Sequence, residues 1–155
     1  MREGLWSWAI REYQKPAVAD ACIELQDHDG ASVCELLWCA WLAQHDEAPN
    51  ADRLSEFRRF RRGLYLAIER LRGARRLLEL DPLTRELGTR TRPLEIDTEA
   101  LLLAQLEGLA GEPLDGRNPF HCLHAIDAAV PTLGPSDATE ARYQTLTERL
   151  GATAV

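Results

Sequence analysis

Residues 56–80 read EFRRFRRGLYLAIERLRGARRLLEL, and arginine supplies eight of these twenty-five positions. At about 100° per residue, the apolar side chains from residue 54 onward fall on one continuous stripe, which is typical of a helix that packs on a core. We therefore predict one long, central helix that is capped by Asn50 or Asp52 and ends near Pro82. The stripe consists of Leu54, Phe57, Phe60, Leu64, Ile68, Leu71 and Leu78.

The segment before this stretch also carries clear helix signals. Pro16 occupies the favoured first position of a second helix, and Gly30 ends it. Ser32 and Glu35 form a capping-box pattern at the start of a third helix, over residues 33–44. That third helix is apolar almost all round, so we place it beside the arginine-rich helix in the middle of the fold.

The remainder of the chain continues the helical pattern, and sustained strand alternation is absent. Residues 84–93, TRELGTRTRP, are polar and contain a glycine and a proline, so we predict a flexible connector there. Residues 151–155 are expected to fray. The sequence thus predicts an all-α, single-domain bundle of about six to seven helices over residues 1–155. Further helices are expected over residues 5–14, 94–110, 120–130 and after a cap at Ser136 or Asp137.

Composition points to a soluble bacterial protein. The 155 residues suit one domain, and 45% hydrophobic with 28% charged residues is ordinary for a globular chain. The longest apolar run, Leu36–Ala43, is far shorter than the roughly twenty residues of a membrane span. The N-terminus does not fit a signal peptide, and the four cysteines lack CxxC spacing, so we expect a cytoplasmic protein with reduced core thiols and no membrane partner. Seventeen arginines against one lysine suggest a GC-rich bacterial genome.

Charge is distributed in three blocks. Residues 1–52 hold ten acids and three bases, residues 53–92 hold twelve arginines and five acids, and residues 93–155 hold ten acids and three bases. The blocks therefore carry −7, +7 and −7, which sum to the formal net charge of −7. Nucleic-acid binders more often leave a net basic domain, so this pattern favours neutralisation within the chain.

The helical wheel separates one arginine from the others. Arg75 projects from within the apolar stripe, where a buried guanidinium without a carboxylate would cost several kcal/mol. We expect Asp27 to be its partner, with Glu24 as the other candidate. The pair is either a structural ion pair or, with Gln26 and Trp8, the floor of a small-ligand or anion pocket; alternatively, the arginine extends to water. The neighbouring strip, called here the arginine strip, consists of Arg58, Arg62, Tyr65, Arg72 and Arg76.

Motifs for catalysis, cofactors or metals do not rise above background. His121 and His124 are spaced i, i+3 with Cys122 between them, but zinc needs three or four ligands, so they are metal candidates only. Phosphate loops and nucleophile elbows are absent, and we expect no catalytic residue and no cofactor. Of the four tryptophans, Trp6 is expected to be exposed and to mark a contact surface.

Several motifs resemble a known family. The segment LWSWAIREYQKPAVADACIELQDHDGASVCELLWCAWLA contains a Trp-x-x-Ala start, a turn from Tyr13 to Pro16, ACIELQD, Gly30, Val33 and the LLWCAWL helix. LRGARRLLE follows as an arginine-rich element, and LEIDTE as a looser match to a carboxylate-rich helix. Together they resemble a family of small proteobacterial proteins catalogued as domain of unknown function 2390. The resemblance is strongest over residues 5–45 and implies an α-helical bacterial protein without an assigned activity.

Three functions remain open from the sequence. The first is a non-enzymatic interaction or regulatory module that docks another protein on a basic strip beside acidic helices. The second is an RNA- or ribosome-associated factor that places the arginine strip on phosphates. The third is a small-ligand binder or enzyme at Asp27 and Arg75. We favour the first, and nucleic acid is not favoured, because the basic block is balanced by acidic blocks on both sides.

Overall fold

The computed structural model describes residues 1–127 and 137–151, and within these ranges the chain is all-α, as predicted. The predicted cap at Ser136 and residues 152–155 of the predicted frayed end lie outside the described residues. None of the described helices is long and apolar enough to cross a membrane. The four cysteines are unpaired, and three of them are buried. The elements are α1 (Leu5–Tyr13), α2 (Pro16–Asp29), α3 (Val33–Ala43), β1 (Glu47–Ala48), α4 (Ala51–Phe60), α5 (Arg62–Leu80), α6 (Arg85–Glu107), β2 (Glu112–Pro113), α7 (Pro119–Asp127) and α8 (Asp137–Gly151).

Helix α3 lies at the centre of the fold, as its apolar sequence predicts. All residues from Cys34 to Leu42 are buried. Ser32 caps the helix, because its hydroxyl oxygen accepts a hydrogen bond from the Glu35 amide at 3.3 Å. The helix contacts α1, α2, α6 and α7, and the short antiparallel pair of β1 and β2 closes one end of the core. The hydrophobic core is therefore built around α3.

The arginine-rich segment forms two helices, so the prediction of one long helix is wrong. Helix α4 begins after Asn50, whose side chain accepts a hydrogen bond from the Arg53 amide at 3.0 Å. Arg61 then leaves helical geometry, with φ −106° and ψ 18°. The break allows α4 to pack on α7 while α5 packs along α6. It also leaves Phe60 76% exposed, although the helical wheel placed this side chain in the buried stripe.

Residues 84–93, predicted to be a flexible connector, instead form the beginning of α6. Pro93 lies inside the helix, where its missing N–H deprives the Thr89 carbonyl of its helical donor. The helix continues because it packs along α5, and Gly88 permits the close approach. A Cβ at Gly88 would lie 2.8 Å from Cγ and 3.2 Å from the backbone nitrogen of Glu79. Packing against α5 therefore outweighs the local signals of glycine and proline.

The turn that joins α5 to α6 is stabilised by side-chain hydrogen bonds. The Thr84 hydroxyl donates to the Leu78 carbonyl at 2.7 Å, and the Asp81 carboxylate accepts from the Leu83 amide at 2.9 Å. These bonds satisfy backbone groups at the end of α5 and let the chain reverse within four residues. Helices α5 and α6 with this turn are called the hairpin below.

A buried carboxylate connects α3 to both arginine-rich helices. Glu35 is 2% exposed and accepts hydrogen bonds from Nε of Arg58 at 3.0 Å and from the hydroxyl of Tyr65 at 2.6 Å. Burial, together with the neighbouring Glu35 charge, raises the pKa of the Tyr65 phenol. Arg58 belongs to α4 and Tyr65 to α5, so this one carboxylate holds the helices on both sides of the Arg61 break against α3.

The last described helix is attached to α2 through Asp29. Arg142 of α8 forms a bidentate ion pair with it, with Nε to Oδ2 at 2.6 Å and Nη2 to Oδ1 at 2.9 Å. The Thr139 hydroxyl donates to Oδ1 at 2.6 Å. Hydrogen bonding from Arg142 holds the pKa of Asp29 below its usual value.

Replacing Gly88 with leucine should force α5 and α6 apart and lower the free energy of unfolding by about 1–3 kcal/mol, the usual cost of overpacking. The matched control is Gly73→Leu on α5, where an added Cβ meets no atom within 4 Å. That control should gain up to about 1 kcal/mol, because leucine has the higher helix propensity. Urea denaturation measures both changes, and equal stability of the two variants would contradict the close contact at Gly88.

The lowered pKa of Asp29 predicts a pH dependence of stability. The carboxylate stabilises the folded state while it is charged, so its contribution is complete above the unfolded-state pKa and is lost as the pH falls through the folded-state pKa. Asp29→Asn should therefore lower the free energy of unfolding at neutral pH, and the difference from the parent should shrink below about pH 4. Urea denaturation at several pH values provides the measurement. A difference that stays constant with pH would exclude the charge as its cause.

Candidate functional site

A groove of about 430 Å³ runs between α1 and α2 on one side and the hairpin on the other. Its floor is formed by Val33, Cys34 and Leu37 of α3, with Ala9 of α1 and Leu103 of α6. These side chains also belong to the hydrophobic core or pack against it. The groove is thus a depression over the central helix that is bounded by neighbouring helices.

Half-exposed apolar side chains surround the mouth of the groove. Trp6, Ile10 and Tyr13 follow at i, i+4 and i+7 on α1, so they share one face of that helix. Ile23 of α2 and Ile96 of α6 complete the set, and the least and most exposed members are 36% and 44% exposed. Helix α1 carries a second apolar face that is buried in the core. Trp6, expected to be an exposed contact residue, is part of this mouth.

A buried ionic cluster between α5 and α6 forms one wall of the groove. Nε of Arg75 lies 2.6 Å from Oε2 of Glu95, and its Nη1 lies 3.0 Å from Oε2 of Glu79. Arg72 lies 3.5 Å from Oε1 of Glu95 and 3.1 Å from Oε1 of Glu99. Glu95 is 5% exposed, so two guanidinium groups share one carboxylate that water hardly reaches.

Two further arginines form the outer rim of that wall. Nη1 of Arg76 lies 3.1 Å from Oδ1 of Asp27, and Nη2 of Arg92 lies 3.6 Å from Oε1 of Glu79. Both pairs are well exposed, and exposed pairs contribute about 0–1 kcal/mol. All four arginines that line the groove therefore have carboxylate partners. The ion pairs of the wall are buried, and those of the rim are exposed and weak.

The predicted ion pair between Arg75 and Asp27 is wrong about the partner. Arg75 does meet carboxylates, as its place in the apolar stripe requires, but these come from α6 and from its own helix. Asp27 pairs with Arg76 instead. The sequence held a signal for the true partner, since Glu95 and Glu99 are spaced i, i+4 on one helix face. The glycine and proline of residues 84–93 favour a connector, and this local signal conceals the pairing across the turn.

The other predicted pocket residues are divided between groove and core. Gln26 lines the groove together with Arg75. Trp8 is 1% exposed and donates its indole N–H to Oε1 of Gln44 at 3.0 Å. Gln26 and Arg75 therefore line one cavity, while Trp8 belongs to the core beneath α1.

Most of the arginine strip is used inside the chain. Arg58 and Tyr65 bind the buried Glu35, whereas Arg72 and Arg76 belong to the wall and the rim of the groove. Arg62 is exposed, and within the described residues it forms no ion pair. The strip is therefore not one continuous basic surface.

Burial keeps the phenol and the thiol of the groove in their neutral forms. Burial raises the pKa of the Tyr13 phenol to about 12, and burial raises the pKa of the Cys34 thiol as well. Burial also raises the pKa of Glu99, and the charge of Arg72 opposes this effect. A nucleophilic cysteine needs a lowered pKa, which is the opposite of what Cys34 experiences. The groove can offer apolar contacts and hydrogen bonds to a ligand.

The predicted metal candidates form no ligand set in the part of the chain that is described. Nε2 of His121 lies 3.2 Å from Oε2 of Glu140, and both side chains are about half exposed. The side chain of His124 lies outside the described residues. Among the described residues, no group of three or more histidine, cysteine, aspartate or glutamate side chains is placed to hold a metal ion.

Comparison with known proteins gives a family and no activity. A family model described as a protein of unknown function (DUF2390) matches residues 4–106. No curated protein and no solved structure matches the chain. The matched range contains every residue that lines the groove, and it ends within α6, before α7 and α8.

Glu95→Gln should destabilise the chain by about 3 kcal/mol, because it leaves Arg72 and Arg75 buried with only one carboxylate each. Asp27→Asn is the matched control and should change the free energy of unfolding by less than about 1 kcal/mol, since its pair with Arg76 is exposed. Urea denaturation of the two variants gives both numbers. A larger loss of unfolding free energy in Asp27→Asn than in Glu95→Gln would indicate that Asp27, as predicted from the sequence, carries the structural ion pair.

Proposed function

We propose a function from the surfaces of the chain itself, because the chain belongs to DUF2390, a family described as proteins of unknown function. We infer that it is a non-catalytic, cytoplasmic module that binds another protein, and that its groove receives an amphipathic helix of that partner. One observation carries this proposal: five half-exposed apolar side chains from three helices surround a single groove.

The size and spacing of the apolar mouth suit a helical ligand. The row from Trp6 to Tyr13 covers seven residue steps, which amounts to about 10 Å or two helical turns. Amphipathic helices bound in grooves present apolar anchors at i, i+3 or i+4, and i+7, which is the spacing of Trp6, Ile10 and Tyr13. Contiguous apolar patches on a folded surface are typical of protein-binding sites.

The rim determines which polar groups a partner should carry. The exposed pairs Arg76–Asp27 and Arg92–Glu79 present both signs of charge at one edge of the groove. Because such pairs are weak, a charged side chain of the partner can replace Arg76, Asp27 or Arg92 at little cost, whereas Glu79 also binds the buried Arg75. Charges at the rim of an interface affect orientation and association rate more than affinity. We expect the apolar anchors to supply the affinity and the rim to orient the helix.

The chemistry inside the groove favours binding over catalysis. Tyr13 and Cys34 are neutral at physiological pH, because burial raises the pKa of each group. Nucleophilic catalysis requires an activated group with an adjacent base or a lowered pKa. The guanidinium groups of Arg72 and Arg75 are already bound to carboxylates of the same wall.

A second candidate function is the binding of a small amphipathic molecule. The volume of about 430 Å³ lies within the usual range of small-molecule sites. Gln26 lines the groove close to apolar walls, so it could orient a polar group of such a ligand. The sequence suggests a small-ligand pocket at Asp27 and Arg75, and this candidate function places the ligand in the interior of the groove instead of at Asp27.

The RNA hypothesis has less support. Phosphate binding needs guanidinium groups that can leave their present partners, and most of the arginine strip is paired with carboxylates. Among the exposed arginines that form no ion pair within the described residues, Arg59, Arg61 and Arg62 lie together in one segment at the break between α4 and α5. RNA binding through that segment would not involve the groove.

The protein-binding proposal is tested with a photo-crosslinking amino acid at Ile10, in the mouth of the groove. Leu83 is the matched control position, because it is also exposed and lies in the turn between α5 and α6, outside the lining of the groove. In cells, the probe at Ile10 should capture a partner whose crosslinked peptide is an amphipathic helix. Ile96→Asp should weaken binding of the purified partner on the order of tenfold to a hundredfold, as expected for an apolar anchor, whereas Leu83→Asp should bind as the parent does.

Two other results would overturn the proposal. If the Ile10 probe captures no protein beyond those seen at Leu83, and native mass spectrometry finds a bound small molecule that Ile96→Asp loses, the groove is a small-ligand site. If the chain binds RNA in a salt-dependent manner that Arg62→Glu abolishes and Ile96→Asp leaves intact, the partner is a nucleic acid.

A further inference from the structure

We propose that a second copy of the chain packs on the side of the hairpin that faces away from the groove, and that the two hairpins form a four-helix bundle. Leucine recurs there every seven residues on both helices. A seven-residue repeat drifts by only about 20° per heptad, so each row stays on one side of its helix. The leucine face consists of Leu71 and Leu78 on α5 and Leu87, Leu94 and Leu101 on α6, whereas Leu64, one heptad before Leu71, packs against the core.

The leucine face and the groove lie on opposite sides of the hairpin. Ile96 lines the groove and follows Leu94 by two residues, so at 100° per residue their side chains point about 160° apart. Leu78 has the same relation to Arg76, which also lines the groove. The buried contact between α5 and α6 at Glu95 lies between the two surfaces.

The leucine face is open to solvent along α6. Leu87, Leu94 and Leu101 are 51%, 57% and 52% exposed. Leu71 and Leu78 are partly exposed beside them. Single exposed leucines are common, but a row of three on one helix beside a second row forms a contiguous apolar patch that calls for a partner.

The two rows are in register with each other. Gly88 packs against Glu79, which places Leu78 level with residues 87–91 of α6 and Leu71 level with residues 94–98. The face is therefore layered, with leucines of α5 and α6 at matching heights. Antiparallel helices with apolar side chains at this repeat are the pairs from which four-helix bundles are built.

Charge complementarity identifies a second copy as the occupant. If the two copies are related by a two-fold axis that runs parallel to α5 and α6, α6 of one copy lies beside α5 of the other. The leucine layers of the two copies then stay at the same height, and the interface is self-complementary. In the register set by Gly88 and Glu79, Asp97 of one copy is then level with Arg70 of the other. Both side chains are exposed, and within residues 1–127 and 137–151 neither forms an ion pair. The two-fold interface would therefore contain the ion pair between Asp97 and Arg70 twice, once for each copy.

Sedimentation equilibrium tests this proposal on the full chain. The parent should be a dimer in the micromolar range, and Leu94→Asp should raise the dimer dissociation constant on the order of a hundredfold or more, because each substitution occurs twice in the interface. Ile96→Asp, on the same helix and similarly exposed, should remain a dimer. Circular dichroism should show that Leu94→Asp stays folded, since this side chain is 57% exposed.

A charge swap tests the orientation separately from the apolar contact. Arg70→Asp and Asp97→Arg should each weaken the dimer by severalfold, and the double variant should restore it. A parent that remains monomeric at high concentration, or a Leu94→Asp variant that dimerises like the parent, would overturn the proposal. Because the groove variant Ile96→Asp and the face variant Leu94→Asp differ in effect, failure here leaves the helix-binding function of the groove untouched.

Discussion

The geometry of both surfaces depends on one buried carboxylate, Glu95. Removing a carboxylate from water is costly unless opposite charge and hydrogen bonds replace the solvent, and Arg72 and Arg75 provide them from successive turns of α5. Because a buried ion pair tolerates little displacement, Glu95 favours the register in which α5 and α6 pack, and so does the close contact at Gly88. That register places Ile96 at the mouth of the groove and the leucine rows on the other side.

The same principle explains why an acidic chain contains so basic a segment. The charge blocks of −7, +7 and −7 correspond to contacts between helices, with Arg58 on Glu35, Arg72 on Glu95 and Arg76 on Asp27. Buried ion pairs add little net stability compared with apolar packing, but they penalise alternative packing arrangements that would leave a charge unpaired. The arginines therefore select how the helices pack, and the apolar side chains stabilise the result.

Local signals predicted much of the fold and less of the site. The caps at Ser32 and Asn50 and the apolar α3 are encoded in neighbouring residues, and these predictions are confirmed. The break at Arg61 and the helix through Pro93 depend on the elements against which α4 and α6 pack. Local sequence patterns do not encode these tertiary contacts. Burial of Arg75 followed from its place in the stripe, but its partner lies across a turn that the sequence presented as a connector. The carboxylate partner of Arg75 can therefore be identified only from the tertiary fold.

The two proposed surfaces have a combined consequence, because they lie on opposite sides of one hairpin. A dimer formed through the leucine face would leave both grooves open and directed away from each other. A partner with two amphipathic helices, or a partner that is itself oligomeric, could then occupy both grooves at once. The second binding event would be intramolecular, so modest affinity in each groove would give tight overall binding wherever the linker spans the dimer. The groove would set which helix is recognised, and the leucine face would set how strongly such partners are retained.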